Sequence, residues 1–279
     1  MIILKKRKFI IILLAIPFLI FISCNNSKAN NDLMFVHFID IGQGDSTLIN
    51  VNNKNVLIDS GPNSAESDLI SYLKKNKIKK LDYLITTHPH EDHIGNIDSI
   101  LKTFKVENFL APKTIYDSKD FKNMIVALKE KNMNIDILSN NSSKINLGEN
   151  IKVDIFSSKS NNHENINNYS PLIKISFINT SFLFTGDAEE ELEQELLDNN
   201  IDSDVLKVGH HGSSTSSSES FLSKVSPNIS VISCGINNKF NHPTKETLDK
   251  LKSIESTIYR TDEDGTIVLV SNGYKIIKK

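Results

Sequence analysis

Short stretches rich in Val, Ile, Leu and Phe recur along the chain, separated by Asn-, Gly- and Ser-containing segments. Stretches of this kind predict β-strands. The predicted strands are residues 33–41, 47–51, 56–59, 78–86, 151–156, 172–178, 182–185 and 205–208, with a further buried strand around Cys234.

Between these strands lie segments in which apolar residues recur at 3.6-residue spacing, a pattern that predicts amphipathic helices. The predicted helices are residues 65–76, 93–104, 119–131, 188–199, 217–225 and 244–252. Strands followed by helix–strand alternation occur in the first half of the chain and again in the second. This order predicts an α/β fold of two mixed sheets packed face to face with helices outside, a four-layer αββα sandwich.

The first 24 residues differ in composition from the rest. Four cations at positions 5–8 precede an uncharged apolar run at 9–22, shortly before Cys24. This pattern is typical of a secretion signal and the run is shorter than an ordinary membrane span, although a short transmembrane anchor is the alternative. The segment resembles a bacterial lipoprotein signal, in which Cys24 becomes the lipidated first residue. We therefore expect a signal peptide (1–23), a polar tether (24–31) and a domain (32–279), exported and lipid-anchored on the outer face of the membrane.

Signal removal would change the charge of the chain. The whole chain has 32 basic and 34 acidic side chains, and loss of the four cations leaves 28 basic ones and a net charge of −6. Arg260 is then the only arginine. A protein that binds nucleic acid along its length is usually basic, so this composition argues against that class. If Cys24 carries lipid, Cys234 has no cysteine partner, and no cysteine-based metal site is possible.

The strongest chemical signal is the segment His88-Pro89-His90-Glu91-Asp92-His93, between a predicted strand and a predicted helix. Two histidines two residues apart can point the same way from an extended segment. One turn later, Asp92 and His93 can face a second point nearby. Imidazole and carboxylate groups suit zinc or a similar divalent ion, so the segment predicts two adjacent metal positions.

This segment resembles the H-x-H-x-D-H motif of the metallo-β-lactamase superfamily. Further segments occur in the same order as in the hydrolase domain of ComEC-type DNA-internalisation competence proteins. They are residues 38–46 (FIDIGQGDS), 57–61 (LIDSG), 184–187 (FTGD), 206–213 (LKVGHHGS), 241–243 (NHP) and 260–262 (RTD). The resemblance covers about residues 33–270, and the chain looks like a stand-alone lipoprotein form of that domain.

The resemblance implies a site for two divalent metal ions, zinc or else manganese. The implied ligands are His88 and His90 for the first ion, Asp92 and His93 for the second, Asp187 as a bridge, and one of His210 and His211 to complete the second position. Family members usually provide another histidine for the first ion from the loop before the strand that leads to the bridging aspartate. Here that loop contains Asn167 and Asn168, and His163 lies too early. The first ion is therefore expected to be under-ligated and weakly held.

Other residues are candidates for contacts around the metals or with substrate. Asp59 is placed to accept a hydrogen bond from a ligand histidine, or else ends a strand in a turn. Asp45 follows Gly44 in a predicted tight turn near the mouth of the site. His242 is a candidate proton donor or substrate contact, or a plain loop histidine. We also expect Ser213, Asn167 and Asn168 to lie around the metal ligands or to contact substrate. The acidic residues at 189–195 are instead expected to form a solvated face of a helix.

Two neighbouring divalent ions suit hydrolysis of a phosphodiester by a hydroxide that bridges them. Asp92, Asp187 and His242 are the residues expected to act in catalysis. The competence-protein resemblance suggests single-stranded DNA as substrate, whereas a lipid anchor and an acidic surface suit a cell-envelope phosphodiester, such as a phosphorylcholine ester or a teichoic-acid-type polymer. Lactones and β-lactams are also cleaved on this fold. A surface binding protein with a degraded metal site is the alternative from another class, and no obligate protein partner is expected.

Overall fold

The structure, a computed structural model, describes residues 33–140, 145–160 and 163–279. The expected signal peptide, the tether and the lipid attachment at Cys24 lie outside these ranges. Among the described residues, no helix is long and apolar enough to cross a bilayer.

The strands form two sheets. The larger contains β1 (Met34–Phe38), β2 (Thr47–Val51), β3 (Lys54–Ile58), β4 (Lys80–Ile85), β5 (Lys105–Ala111), β6 (Ile135–Ile137), β13 (Ile267–Ser271) and β14 (Ile276–Lys278). The smaller contains β7 (Ile151–Phe156), β8 (Leu172–Phe177), β9 (Thr180–Phe184), β10 (Val205–Lys207), β11 (Ile229–Ile232) and β12 (Thr257–Arg260). The strand orders are β14-β13-β1-β2-β3-β4-β5-β6 and β12-β11-β10-β9-β8-β7. Strands β3 to β6 are parallel, as are β9 to β12, so each sheet has a block of parallel strands with their C-terminal ends on one edge.

The helices connect and cover these strands. They are α1 (Glu66–Lys75), α2 (Glu91–Ile94), α3 (Ile97–Thr103), α4 (Lys119–Glu130), α5 (Glu190–Leu196), α6 (Glu219–Val225), α7 (Lys245–Ser253) and α8 (Thr261–Asp264). Short 3-10 turns lie at Asn63–Ala65, Ile166–Tyr169 and Gly209–Gly212.

Three hydrophobic clusters separate four layers. In β2, Ile49 packs between the sheets, whereas its neighbour Leu48 packs against the helices that cover the larger sheet. In β9, Phe182 packs between the sheets, and Leu183 packs against the helices on the smaller sheet. Successive side chains of a strand point to opposite faces, so both sheets are buried on both sides. The predicted αββα sandwich is confirmed.

Most predicted elements are present, with ends shifted by at most three residues. The predicted helix at 93–104 is wrong as a single element: α2 ends at Ile94 and α3 begins at Ile97. Asn96 causes the break because its side-chain amide donates to the carbonyl oxygens of Ser60, at 2.8 Å, and Pro62, at 2.7 Å. The tight turn expected at 42–45 is also wrong, since residues 39–46 form a wide loop between β1 and β2. Cys234 is buried just beyond β11.

Candidate metal centre

The residues predicted as metal ligands converge at the edge where the parallel strands end. Asp59 directly follows β3, and His88 follows β4 after two residues. Asp187 follows β9, and the pair His210 and His211 follows β10, again after two residues. Two loops from each sheet therefore meet at one place. Sites at the carboxyl ends of parallel strands are the general rule in α/β folds.

The histidine-rich segment changes from extended to helical within six residues. His90 has an extended backbone (φ −70°, ψ 150°) and immediately precedes α2. The extended part brings His88 Nε2 to 3.0 Å from His90 Nδ1. Asp92 and His93 then lie in the single turn of α2, where His93 is fully buried. The break in backbone direction gives the segment two pairs of donor groups.

Asp187 lies between these two pairs and is buried. Its Oδ1 atom is 3.3 Å from His93 Nε2 and 3.6 Å from His211 Nε2. Its Oδ2 atom is 3.7 Å from both His88 Nε2 and His210 Nε2. Each carboxylate oxygen therefore faces its own pair of imidazole nitrogens.

The two consecutive histidines point in different directions because both have left-handed backbones, with φ 47° at His210 and φ 53° at His211. Such angles are uncommon for residues other than glycine and persist only where the surroundings enforce them. Here His210 N–H donates to the carbonyl oxygen of Gly186 at 3.1 Å, and Ser213 N–H donates to that of His210 at 2.8 Å. Consequently His211 Nε2 also lies 3.3 Å from Asp92 Oδ2, whereas His210 lies on the His88 side.

Hydrogen bonds outside the cluster fix the orientation of two rings through Nδ1. His93 Nδ1 donates to Asp59 Oδ2 at 2.9 Å, and Asp59 is itself held by the N–H and hydroxyl of Thr87, both at 2.8 Å. His211 Nδ1 donates to the carbonyl oxygen of Ser233 at 3.0 Å. In a neutral imidazole with a protonated Nδ1 the lone pair is on Nε2, so loss of the second proton on metal binding would leave both rings with an acceptor nitrogen towards Asp187 and its neighbours.

His210 is oriented by a residue from the expected acidic face. Its Nδ1 lies 3.1 Å from Glu189 Oε1, and the same carboxylate accepts from the side-chain amides of Asn165 and Asn167, both at 2.8 Å. Glu193 is also buried, accepting from the backbone N–H groups at Ser217 and Ser218. The expectation of a solvated acidic face is therefore wrong for Glu189 and Glu193.

Three buried atoms at the centre of the cluster have no hydrogen-bond partner among the described residues: His93 Nε2, His211 Nε2 and Asp187 Oδ1. A buried polar atom without a partner carries a large desolvation cost. Each of these atoms belongs to a group of three His or Asp side chains whose ligand atoms all lie within 4.8 Å of one another. Imidazole nitrogen and carboxylate oxygen are ligands of divalent zinc, so the residues fit the metal ions that the motif implies.

The charges of the cluster also favour a cation. Burial alone would lower the pKa of His211, but Asp187 and Asp45 raise it to about 10. Burial likewise opposes protonation of His93, yet Asp187 and Asp59 raise its pKa well above the usual value. Burial opposes ionisation of Asp187, but His93 and His211 hold its pKa well below the usual range. The carboxylates thus create a strongly negative potential at the ligand nitrogens, which a divalent ion would neutralise.

A cavity of about 390 Å³ opens over the cluster. Its lining comprises Gln43, His90, Glu91, Asp92, Tyr116, Ser118, Asp187, His210, His211, Phe240 and His242. The His242 ring lies 5.5 Å from that of His210, and burial lowers the pKa of His242 to about 4. His242 therefore reaches the cavity as a neutral imidazole near pH 7.

Several predicted residues lie outside the ligand cluster. Asn168 accepts from the N–H of Glu189 at 3.1 Å and donates to Glu191 at 2.9 Å, so it caps the start of α5. Asn167 donates to Glu189, as described above. Ser213 contacts Thr215 at 3.0 Å and shapes the loop after the histidine pair. His163 packs against Tyr169, with ring centroids 5.3 Å apart.

Lys207 is a neighbour of the cluster that the sequence pattern does not single out. It is buried in β10, and its Nζ lies 2.8 Å from Asp45 Oδ2. Asp45 Oδ1 in turn lies 3.3 Å from His211 Nδ1. The sequence does contain a signal for this residue, namely a lysine within an apolar strand just before the histidine pair. Because lysine is almost never fully buried unless it is paired, such a lysine predicts a buried acidic partner.

The fold is an αββα sandwich, and the cluster is a set of His and Asp side chains that could hold divalent metal ions. Residues 39–236 match the family described as the metallo-beta-lactamase superfamily. The chain belongs to this superfamily of metal-dependent hydrolases.

Similar proteins confirm the resemblance to ComEC-type competence proteins. ComE operon protein 3 of Bacillus subtilis is 33% identical over 273 residues, which cover 90% of this chain and 34% of that protein. Recombination protein 2 of Haemophilus influenzae is 30% identical over 240 residues, 83% of this chain and 28% of that protein. The chain thus spans about a third of the length of these relatives. The metallo-beta-lactamase fold protein YhfI of Bacillus subtilis aligns with a TM-score of 0.59 at 12% identity, over 86% of this chain and 100% of that chain, which supports the fold alone.

Proposed function

We propose that this chain is a phosphodiesterase with two divalent metal ions. The observation that carries the proposal is the two-sided environment of Asp187, whose oxygens each face two imidazole nitrogens. One carboxylate shared by two cations offsets their mutual repulsion, and paired ions suit displacement at phosphorus because both the attacking and the leaving oxygen can be stabilised.

The proposed ligands divide evenly between the two positions. The first position takes His88, His90, Asp187 and His210, and the second takes Asp92, His93, Asp187 and His211. His210 would then supply the histidine that the loop at Asn167 and Asn168 lacks. This arrangement favours an enzyme over a binding protein with a degraded site, since a missing ligand was the only reason to expect degradation.

Bound zinc or manganese would supply Lewis acidity and a water molecule of lowered pKa. The chain itself would supply orientation. Asp59, Glu189 and the Ser233 carbonyl group hold the ligand rings through Nδ1. His242, a neutral imidazole at the cavity wall, would donate a hydrogen bond to the phosphoryl group or to the leaving oxygen.

The cavity lining favours a small or terminal phosphodiester over a long polyanion. No lysine or arginine is among the described residues that line it, while Tyr116 and Phe240 provide aromatic surface. We therefore place a cell-envelope phosphodiester ahead of single-stranded DNA, the substrate that the resemblance to ComEC-type competence proteins suggests. Export and a lipid anchor on Cys24 remain part of the proposal, because they would bring the chain to envelope polymers.

A substrate panel tests this proposal. The full chain, loaded with zinc or manganese, is assayed with bis-p-nitrophenyl phosphate, a phosphorylcholine ester, a single-stranded oligonucleotide and a lactone. We expect cleavage of the phosphodiesters, loss of turnover on chelation and two metal equivalents by elemental analysis. Turnover of the lactone alone would contradict the substrate class, and a chain that binds no metal would favour the binding protein.

A further inference from the structure

The sheet edge opposite the metal centre is where the described chain begins. Strands β1, β3, β4 and β5 all start there, and the turn between β13 and β14 lies on the same edge, because Met34 pairs with Ser271. We call this the entry edge, since residues 1–32 join the described domain here at Leu33. Metal ligands follow the opposite ends of β3 and β4, so the entry edge faces away from the cavity.

A lysine run, defined as residues 74–80, lies on the entry edge. It has five lysines and no acidic residue: Lys74, Lys75, Lys77, Lys79 and Lys80. Lysines at the end of a helix complement its dipole, which accounts for the two in the last turn of α1. The other three lie beyond that helix, in the turn and at the start of β4, where the dipole gives no reason for them.

Most of this positive charge is not neutralised. Within the part of the chain that the structure describes, only Lys80 of the run forms an ion pair, with Asp82 at 2.9 Å and Glu107 at 3.8 Å. Lys74, Lys75, Lys77 and Lys79 are exposed. Lys105 on β5 lies directly opposite Lys80 in the parallel register and pairs with Glu107 at 2.8 Å, so the unpaired charge of this edge is that of the four exposed lysines of the run. The entry edge therefore presents a concentrated positive surface on a chain whose total charge is negative.

Exposed apolar side chains lie further along the same edge. Tyr274, at the tip of the β13–β14 turn, is 71% exposed; Ile178, in the β8–β9 turn, is 42% exposed; and Leu33 is 43% exposed. The two turns are joined by a 2.8 Å hydrogen bond from the N–H of Asn179 to the carbonyl oxygen of Gly273. Four strand spacings, about 19 Å, separate β13 from β4. Apolar tips and lysines thus belong to one continuous surface on either side of the chain entry.

We propose that the entry edge docks on the surface of an anionic lipid bilayer, so that the metal centre faces away from the membrane. Clusters of four to eight lysines beside a membrane-associated segment bind anionic headgroups, and tyrosine suits the bilayer interface. The 32 residues that precede Leu33 include the uncharged apolar run at 9–22, which favours a membrane as the neighbour of this edge. The proposal does not rest on the proposed enzymatic activity.

The absence of tryptophan from the chain allows a direct test. Tyr274→Trp places a single fluorophore on the entry edge, and Ile236→Trp places one on the metal edge at a position with the same 71% exposure. Each full-length variant is bound to vesicles of phosphatidylglycerol and phosphatidylcholine in equal parts, with bromine on the lipid chains as a quencher. We expect a blue shift and strong quenching for Tyr274→Trp, and the emission of a solvent-exposed fluorophore for Ile236→Trp.

Charge variants test the role of the lysine run. In the Tyr274→Trp background, Lys77→Gln with Lys79→Gln should weaken docking on the order of tenfold, and vesicles of phosphatidylcholine alone should reduce it similarly. Lys113→Gln with Lys119→Gln, an exposed pair on the metal edge, is the matched control and should change nothing.

Three results would overturn the proposal. One is a Tyr274→Trp variant that binds the vesicles but whose tryptophan is not quenched. This is the result expected if residues 1–32 lie between the entry edge and the lipid. Another is equal or stronger quenching of Ile236→Trp, which would turn the metal centre towards the bilayer. The third is binding of a single-stranded oligonucleotide at the lysine run without any lipid-dependent quenching, which would make the edge a nucleic-acid surface. Chelation should leave the quenching unchanged, so this test and that of the enzyme can fail separately.

Discussion

At the scale of single residues, the candidate metal centre depends on which atom of each side chain is already engaged. Imidazole Nδ1 atoms are held from outside by Asp59, Glu189 and the carbonyl group of Ser233, and the inward Nε2 atoms converge on Asp187. Asp187 itself is not a helix cap, because Glu189 occupies the position before α5. Its carboxylate therefore has no role in the described structure other than to face the four histidines.

Replacing Asp187 with asparagine tests the bridge. A neutral amide cannot offset the repulsion between two cations, so Asp187→Asn should lose at least one metal equivalent and nearly all turnover while remaining folded. Elemental analysis, activity and circular dichroism measure the three effects. Asp98→Asn, at a surface ion pair with Lys102, is the matched control. A variant that keeps both metals and most of its activity would show that the bridge assignment is wrong.

The buried pair of Lys207 and Asp45 gives a second prediction at this scale. Removing one partner leaves the other charge buried and unpaired, so Lys207→Met should destabilise the fold by about 3–5 kcal/mol. Adding Asp45→Asn to that variant removes the orphaned charge and should restore part of the stability. Urea unfolding of the two single variants and the double variant, all in chelator, measures the coupling. Strict additivity would mean that the two side chains do not interact.

Residue-level chemistry was predictable where one segment carries several ligand types, as at His88–His93, and where the motif order is preserved. It was not predictable where the contact depends on tertiary direction. The left-handed backbones that separate His210 from His211 cannot be deduced from spacing, so the sequence leaves open which of them lies beside Asp92. The same is true of Glu189, whose carboxylate turns inward only because Asn165 and Asn167 hold it.

At the scale of elements, α5 is tied to the serine-rich loop before α6 through Glu193. Burial raises the pKa of this carboxyl group to about 7, from 4.5, against the opposing effect of two backbone N–H donors. An acid with a raised pKa in the folded state favours folding in its protonated form. The link between α5 and α6 should therefore weaken as the pH rises from about 4.5 to about 7.

Glu193→Gln tests this link because glutamine stays neutral. Relative to the variant, the wild-type protein should lose on the order of 3 kcal/mol between pH 4.5 and 8. Urea midpoints of both proteins at both pH values, measured in chelator, give the comparison. Titration of the metal-ligand cluster also changes stability with pH, but it cancels from the difference because both proteins contain the same cluster. Glu195→Gln, on the same helix but exposed, should follow the wild type. An identical pH dependence for Glu193→Gln and the wild type would contradict the raised pKa.

Elements were predictable where one face is apolar. Strands β2 and β7 have the predicted bounds because alternation and turn residues agree there. Strands β5, β6 and β12 to β14 were not predicted. Strands β6, β12 and β14 are short and only partly buried, whereas β5 and β13 contain buried apolar residues and were simply missed. The break between α2 and α3 was missed for another reason: Asn96 bonds to a loop more than thirty residues away, and helical periodicity contains no trace of that contact.

At the scale of the whole molecule, the metal centre joins the two sheets. Asp59 and the His88–His93 segment follow strands of the larger sheet, whereas Asp187 and the histidine pair follow strands of the smaller one. Ions bound between these loops would link the layers from one end, in addition to the hydrophobic cluster between them. Metal binding should therefore stabilise the entire fold and not only the loops.

Metal removal tests this link. A site that binds only the folded state adds about 4 kcal/mol when the free metal concentration is a thousand times its dissociation constant. Chelation should therefore lower the melting temperature, and the difference should shrink as the pH falls, because protons compete with metals for His93 and His211. Calorimetric scans with and without chelator at several pH values measure this difference in melting temperature. Asp187→Asn should show a smaller shift, and an unchanged wild-type melting temperature would contradict the metal link.

Charge is divided across the molecule, and this division predicts how DNA would behave. The lysine run lies on the entry edge, whereas Glu91 and Asp92 line the cavity at the other edge, without a lysine or arginine among its described lining residues. A long single strand should consequently bind through the lysine run and not through the cavity. The affinity for the strand should fall with added salt. Lys77→Gln with Lys79→Gln should make the slope of the logarithm of the binding constant against the logarithm of the salt concentration shallower by about 1.4.

Turnover of bis-p-nitrophenyl phosphate should not change with those substitutions and should depend little on salt, because the cavity offers the phosphodiester no lysine. Anisotropy of a labelled oligonucleotide, measured over a salt series in parallel with turnover, separates the two edges. Lys113→Gln with Lys119→Gln again controls for total charge. If cleavage of DNA instead decreased together with its binding when the lysine run is neutralised, the entry edge would be delivering polymer to the metal centre. Single-stranded DNA would then replace the envelope phosphodiester as the proposed substrate.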